Sequence, residues 1–451
     1  MANTMINDLT VGSVPKQLIR FALPFAASNL LQALYNIVDM MVIGQFVGST
    51  GLSAVSVGSD ILTLLTMLCM GCSSAGQIMI AQYVGAGRRK EISYTIGTMF
   101  SMITLIALGF SVIGIAFATP ILGLLNTPVE ALNEAWAYSV TCYCGLVFVY
   151  GYNTVSAILR GMGDSKRPFV FISVAAMTNV VLDLIFVAGF RLGAMGAALA
   201  TVIAQGVSFW GSLIYLFRRR ESFGFDFRPR SFAIRRDQAV LLLKLGGPMA
   251  LQHGAIMVSV IFVNSHINAY GLIVSAVNGV GSKLRNFIAI VTNSISNASS
   301  SMIGQNLGAQ KHNRVCAVVR TGLTVNLIYT TLLCIILVAF PERVFGLFTR
   351  DPEVLSWAPA YAWVAVVSFY ASAMMGPFNS VINGLGYAAL SLVIGLMDGV
   401  VARISLSLFF GNLFGIQGFW YGNAAAGFVT VIMAAIYYFS GRWKSRKLLV
   451  K

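Results

Sequence analysis

Long apolar runs, each closed by a short polar or glycine-rich stretch, fill the chain at about 17–43, 52–80, 92–119, 134–160, 166–189 and 194–217. They resume at about 240–267, 274–302, 315–340, 357–384, 388–413 and 416–440. Each reaches the roughly 20 residues that a helix needs to cross the hydrocarbon core of a bilayer. None alternates apolar and polar residues with period two, the pattern of a membrane barrel strand. The expected fold is all-α integral membrane, with twelve transmembrane helices as six plus six. Several runs exceed the minimum length, which implies tilt or extension beyond the bilayer.

The second six repeat the first. The stretch IAQYVGAGRRK at Ile80 to Lys90 returns as IGQNLGAQKHN at Ile303 to Asn313. Pro24 corresponds to Pro248, Ser53-Ala54-Val55 to Ser275-Ala276-Val277, Leu159 to Gly163 to Ile382 to Gly386, and Gly193 to Gly415. The spacing holds at 222–224 residues, so the duplication covers nearly the whole chain. A bundle followed by its own diverged copy is a common plan of membrane transporters, with the transport path where the copies face each other.

Composition agrees: 57% of the 451 residues are hydrophobic and 10% are charged, against about 25% charged in soluble domains. The net charge of +15 is distributed by topology. Arg218, Arg219, Arg220, Arg228, Arg230, Arg235 and Arg236 fall in segment 218–237, and Arg442, Lys444, Arg446, Lys447 and Lys451 in the tail. Arg88, Arg89, Lys90, Lys166, Arg167, Lys311 and Arg314 occupy loops on that same side, whereas the opposite loops hold only Arg191, Arg343 and Arg350. The positive-inside rule makes the basic side, and both termini, cytoplasmic. The charge is therefore not a nucleic-acid patch. The expected organisation is an N-terminal bundle at 1–217, a basic linker at 218–237 lying along the cytoplasmic membrane surface, and a C-terminal bundle with a basic tail at 238–451. The first run contains Asn29, Gln32, Asn36 and Asp39 and no convincing cleavage site, so it is expected to remain as the first span rather than act as a signal peptide.

Several chemistries find no support. Cys69 and Cys72 form a CxxC, but on an apolar helix without further ligands this reads as small-residue packing. There is no GxxxxGK[ST] phosphate loop, no HExxH and no GxSxG. No enzyme activity, cofactor or metal centre is expected, and uphill transport would draw on an ion gradient.

An ionisable side chain deep in a span is costly and therefore a candidate for function. Asp39 lies mid-way through the first span, with Tyr35 and Asn36 on its helix face and Gln32 one turn further. Asp183 lies deep in the fifth, with Asn179 one turn earlier and Thr201 in the adjoining sixth span. Two carboxylates with an amide and a hydroxyl suit a shared proton, or a Na+ held by oxygens. The other reading is a structural hydrogen-bond network joining these three helices. The second half does not copy the acids: Val263 matches Asp39, and Arg403 or Ser405 falls near the match of Asp183. It offers Gln252, His253, Asn264 and His266 without an evident use, the histidines reading as partnered core groups. Asp60 falls at the repeat position of Lys283. Asp398 and Arg403 stand five apart, a poor spacing for an α-helical pair. Pro24, on the same helix as Asp39, supplies a place where that helix can bend.

The duplicated AQYVGAG and GQNLGAQ motifs, the LRGMGD turn at Leu159 to Asp164 and YNIVDMMVIGQFVG at Tyr35 to Gly48 together resemble the MATE (multidrug and toxic compound extrusion) family over the whole chain. That resemblance implies two six-helix bundles in a V, related by a pseudo-two-fold axis along the membrane normal. The pattern of Pro24, Asp39, Asn179, Asp183 and Thr201 is similar to that of the DinF-like branch. It implies cation coupling at Asp39 and Asp183 with Asn179 and Thr201 in their network, H+ and Na+ both remaining open. Ile256 and Ser372 stand near places where other branches carry acids, which speaks against a second Na+ site in the C-terminal half. The implied function is antiport: export of amphipathic, often cationic compounds across the cell membrane by a monomer, with a cavity formed by Gln32, Tyr35, Asn36 and Asn153. A lipid-linked oligosaccharide flippase of related architecture is the alternative.

Overall fold

The structure, a computed structural model, describes residues 7–125, 127–446 and 448–449; Lys447 and Lys451 of the basic tail lie outside them. Helix makes up 87% of it, with no strand among the described residues. The duplication is visible in the lengths of the elements. Helix α1 (Val14–Phe46) has 33 residues, α2 (Ser49–Gly85) 37 and α3 (Arg89–Ala116) 28. In the second half α8 (Arg236–Asn268), α9 (Leu272–Gly308) and α10 (His312–Ala339) have the same three lengths. Between them run α4 (Leu132–Cys144), α5 (Leu146–Gly161), α6 (Lys166–Asp183) and α7 (Gly193–Arg218). After them come α11 (Ala358–Gly384), α12 (Ala388–Leu396) and α13 (Ile404–Phe439). Left-handed backbone recurs at the repeat spacing too: φ is 70° at Gly87 and 58° at Gln310, 62° at Gly193 and 61° at Gly415. Gln310 holds in the second copy the turn that Gly87 makes in the first, although a side chain is disfavoured there.

Nine helices, or ten counting one bent pair, are long and apolar enough to cross a membrane among the described residues. The twelve expected runs map onto them with three differences. The run at 134–160 is not one rod but the pair α4 and α5, bent by 46°. The runs at 388–413 and 416–440 form one 52-residue stretch, interrupted by the non-helical backbone of Gly415. Helix α9 carries many Ser, Thr and Asn residues and falls below the apolarity of the others.

The chain divides into two compact units. One holds Asn7–Asp8 and Ala27–Ala250, the other Leu9–Ala26 and Leu251 onward. The chain changes unit inside α1 and inside α8, within three residues of Pro24 and Pro248.

In the first unit, segment 218–237 is docked on α3. Phe225, buried to 2% exposure, packs its ring against Phe227 and Phe232, and Phe232 meets Phe100 of α3. Ser101 donates to the Phe232 carbonyl at 2.5 Å, and Thr98 accepts from the Arg235 amide at 3.2 Å. Gly97 lets the Ser231 carbonyl approach α3 so closely that a Cβ would collide with it. In the second unit the stretch before α1 is held by polar bonds. Gln305 accepts from the Leu9 amide, Lys311 reaches Thr10, and Arg314 donates to the carbonyls of Leu9, Val11 and Gly12.

Candidate functional site

The site expected in the N-terminal half assembles within one unit from α1, α6 and α7. Asp183 is fully buried and Asn179 is 3% exposed; Asp39 is half-buried with Oδ1 enclosed. The Asp39 and Asp183 carboxyl groups lie within electrostatic reach of each other. A carboxylate only accepts, so the two can bond only if a proton or another cation lies between them. Asn179 donates its amide to the Thr201 hydroxyl at 3.3 Å, which turns its own oxygen toward no protein donor. Asp39 Oδ1, both Asp183 carboxyl oxygens and Asn179 Oδ1 are thus four buried acceptors without a donor from the protein. No ion pair involves either aspartate among the described residues. Buried acceptors left unmet cost about 1–3 kcal/mol each, more when charged, so this oxygen cluster favours a small cation.

Local backbone helps to place the pair. Immediately after Asp183 the helix widens into a π-turn at Leu184–Gly189, a deformation frequent at functional sites.

Tyr35 lies within electrostatic reach of Asp39, as its spacing predicted. Gln32 is half-buried and Asn36 exposed, and Asn153 donates to the Val149 carbonyl one turn back at 2.9 Å. None of these three bonds to the pair among the described residues. Residues that the sequence did not single out come from α4: Tyr138 and Cys142 also lie within reach of Asp39. The Tyr138 hydroxyl bonds to Ser59 at 3.2 Å, and its ring fills the space that Gly58 leaves open. The glycine beside a serine on α2 was the available signal.

In the second half, Asp398 and Arg403 are paired after all, at 3.2 Å. The segment Met397–Arg403 is a π-turn, whose i to i+5 bonding brings residues five apart onto one face; the α-helical spacing rule did not apply. His266 bonds to the Phe262 carbonyl at 3.0 Å and lies against the Phe419 ring, whereas His253 is exposed. Asn264 accepts from Asn278 at 3.0 Å. Cys69 contacts Ser73 at 3.7 Å and all six cysteines are free.

The MatE family model matches this chain twice, at residues 24–185 and 248–409. The chain belongs to the MATE family of membrane transporters. This member is 30% identical over 453 residues to "Probable multidrug resistance protein YpnP" of Bacillus subtilis, covering 98% of this chain and 99% of that one. It is 23% identical over 423 residues to a protein of Shewanella oneidensis named "FAD transporter", covering 91% of each. A solved outward-facing multidrug resistance MATE transporter of the MOP superfamily shares the fold at a TM-score of 0.90 and 20% identity, over 99% of this chain and 100% of that one. Pro24 and Pro248, where the two matches begin, are also where this MATE chain passes between its compact units.

Proposed function

We propose that this MATE protein is a secondary antiporter, exporting amphipathic organic compounds in exchange for H+ or Na+ by alternating access. The observation that carries the reading is the cluster of four buried acceptor oxygens around Asp39 and Asp183, with no base paired to either among the described residues. A proton or Na+ entering between the two carboxyl groups offsets their charge and draws α1 toward α6; its departure leaves two like charges close together, which repel. Helix α1 can express that change near Pro24, where the proline removes a backbone hydrogen bond and the helix leaves one unit for the other. The relatives named as multidrug resistance proteins support compounds of varied structure as substrates, and the basic loops support a plasma-membrane protein with both termini in the cytoplasm.

The test is dye uptake into inside-out vesicles under an imposed proton or Na+ gradient. Uptake driven by one gradient and abolished by Asp39→Asn identifies the coupling ion and its site. Full uptake in Asp39→Asn overturns the mechanism.

A further inference from the structure

The second unit contains a small cavity whose polar walls donate more hydrogen bonds than they can accept. It is lined by Arg285 of α9, Tyr361 and Ser368 of α11, and Trp420 and Asn423 of α13, among apolar side chains. Arg285 donates to the Tyr361 hydroxyl at 2.7 Å and to Ser282 at 2.5 Å. Among the described residues no carboxylate pairs with it. Tyr361, 1% exposed, accepts from Arg285 and so keeps its own proton to give elsewhere. Trp420 is 2% exposed, and its indole Nε1–H is buried without an acceptor. The Asn423 side-chain oxygen is already taken by Arg403 at 2.8 Å, leaving its amide hydrogens. The Arg403 charge is offset by Asp398, and among the described residues no acid is paired with Arg285.

We propose that this cavity, with room of about 10 Å³ for one water-sized atom, binds one negatively charged atom of a ligand: a halide ion, or a single oxygen of a carboxylate, sulfonate or phosphate belonging to a carried compound. An anion accepts from several donors at once and offsets the Arg285 charge. A water molecule would occupy some donors and leave that charge unmatched. The site involves neither Asp39 nor Asp183 and stands whatever ion those residues take.

The experiment is thermal unfolding of the purified full-length protein in lipid nanodiscs, titrated with sodium bromide against sodium gluconate at constant Na+. Bromide is expected to raise Tm saturably in the wild type, and Arg285→Gln to abolish the response. Trp420→Phe, which keeps a ring against Trp357 and Tyr361, is expected to weaken half-saturation about tenfold; it carries the test alone should Arg285→Gln fail to fold. Repeating the titration with carboxyfluorescein separates the sources. Competition with bromide assigns the site to the acid group of a carried compound, and bromide binding without competition assigns it to a resident inorganic anion. Coincident bromide and gluconate curves in the wild type, or an unchanged response in both variants, mean a water-filled cavity and overturn the proposal.

Discussion

The buried polar site of the N-terminal half is made of oxygens that accept, whereas its counterpart in the C-terminal half is made of nitrogens that donate. In the first, Asp39, Asp183 and Asn179 present four acceptors without a protein donor. In the second, Arg285 and Trp420 present donors that no acid meets among the described residues, and Arg403 is paired with Asp398. Yet α1, α2 and α3 match α8, α9 and α10 residue for residue in length. Helix lengths answer to bilayer thickness and to the close packing of small residues, which both copies share. Polar side chains answer only to the need for a partner, and that need can be met in many ways, so the chemistry diverged on a preserved frame. The peripheral segments diverged likewise, with phenylalanines holding the linker to α3 and polar bonds from Arg314, Lys311 and Gln305 holding the stretch before α1.

The contrast is broken most directly at Asp183. Asp183→Asn should reduce gradient-driven uptake to that of vesicles lacking the protein, and retained uptake would mean that the acid pair does not set the N-terminal half apart. A smaller effect, on stability, sharpens the difference. Asp398→Asn strands the Arg403 charge and should cost about 3–5 kcal/mol in reversible unfolding, whereas Asp39→Asn removes one of two like charges and should cost less than about 1 kcal/mol or stabilise. Equal losses would show that the two halves hold their acids in the same way. Gly97→Leu places a side chain where the Ser231 carbonyl packs and should cost about 1–3 kcal/mol by overpacking, seen as a lower Tm with faster proteolysis of 224–235; an unchanged Tm would leave the linker undocked.

The smallest effect concerns pH. The Ser231 hydroxyl donating to Asp226, followed by the Arg228 amide, holds the Asp226 carboxyl below its usual value of 3.8. A carboxylate depressed in the folded state stabilises above its ordinary value and loses that contribution as pH falls through the folded one. Protection from hydrogen exchange across 225–235, corrected for the intrinsic pH dependence of amide exchange, should therefore be constant from pH 8 to 5 and fall only below about pH 4. A loss of protection already at pH 6 would point to another group.

Asp39, Asp183, Asn179 and Thr201 were legible because an acid or amide in an apolar span stands out against its neighbours, and helical spacing puts Asn179 beside Asp183. Tyr138 and Ser59 were not, since a tyrosine or serine on a membrane helix looks alike whether it faces lipid, a neighbour or an acid. The Asp398–Arg403 pair was misread because a local widening of the helix changes which residues share a face, and periodicity assumes an unbroken one. The bend between α4 and α5 was hidden for a related reason: Cys144-Gly145 interrupts no hydrophobic run.

The sequence by itself determined the membrane class, the duplication and the acidic residues of the N-terminal half, because apolarity, spacing and rare buried charge are properties of residues taken in order. Only the tertiary structure decided that the two aspartates come within electrostatic reach, that Arg403 meets Asp398 and Asn423, and that segment 218–237 and the stretch before α1 are docked rather than loose. Those outcomes depend on helix tilt, rotation and local widening, which arise from packing between stretches more than a hundred residues apart, as between Ser101 and Phe232, and leave no mark in local pattern.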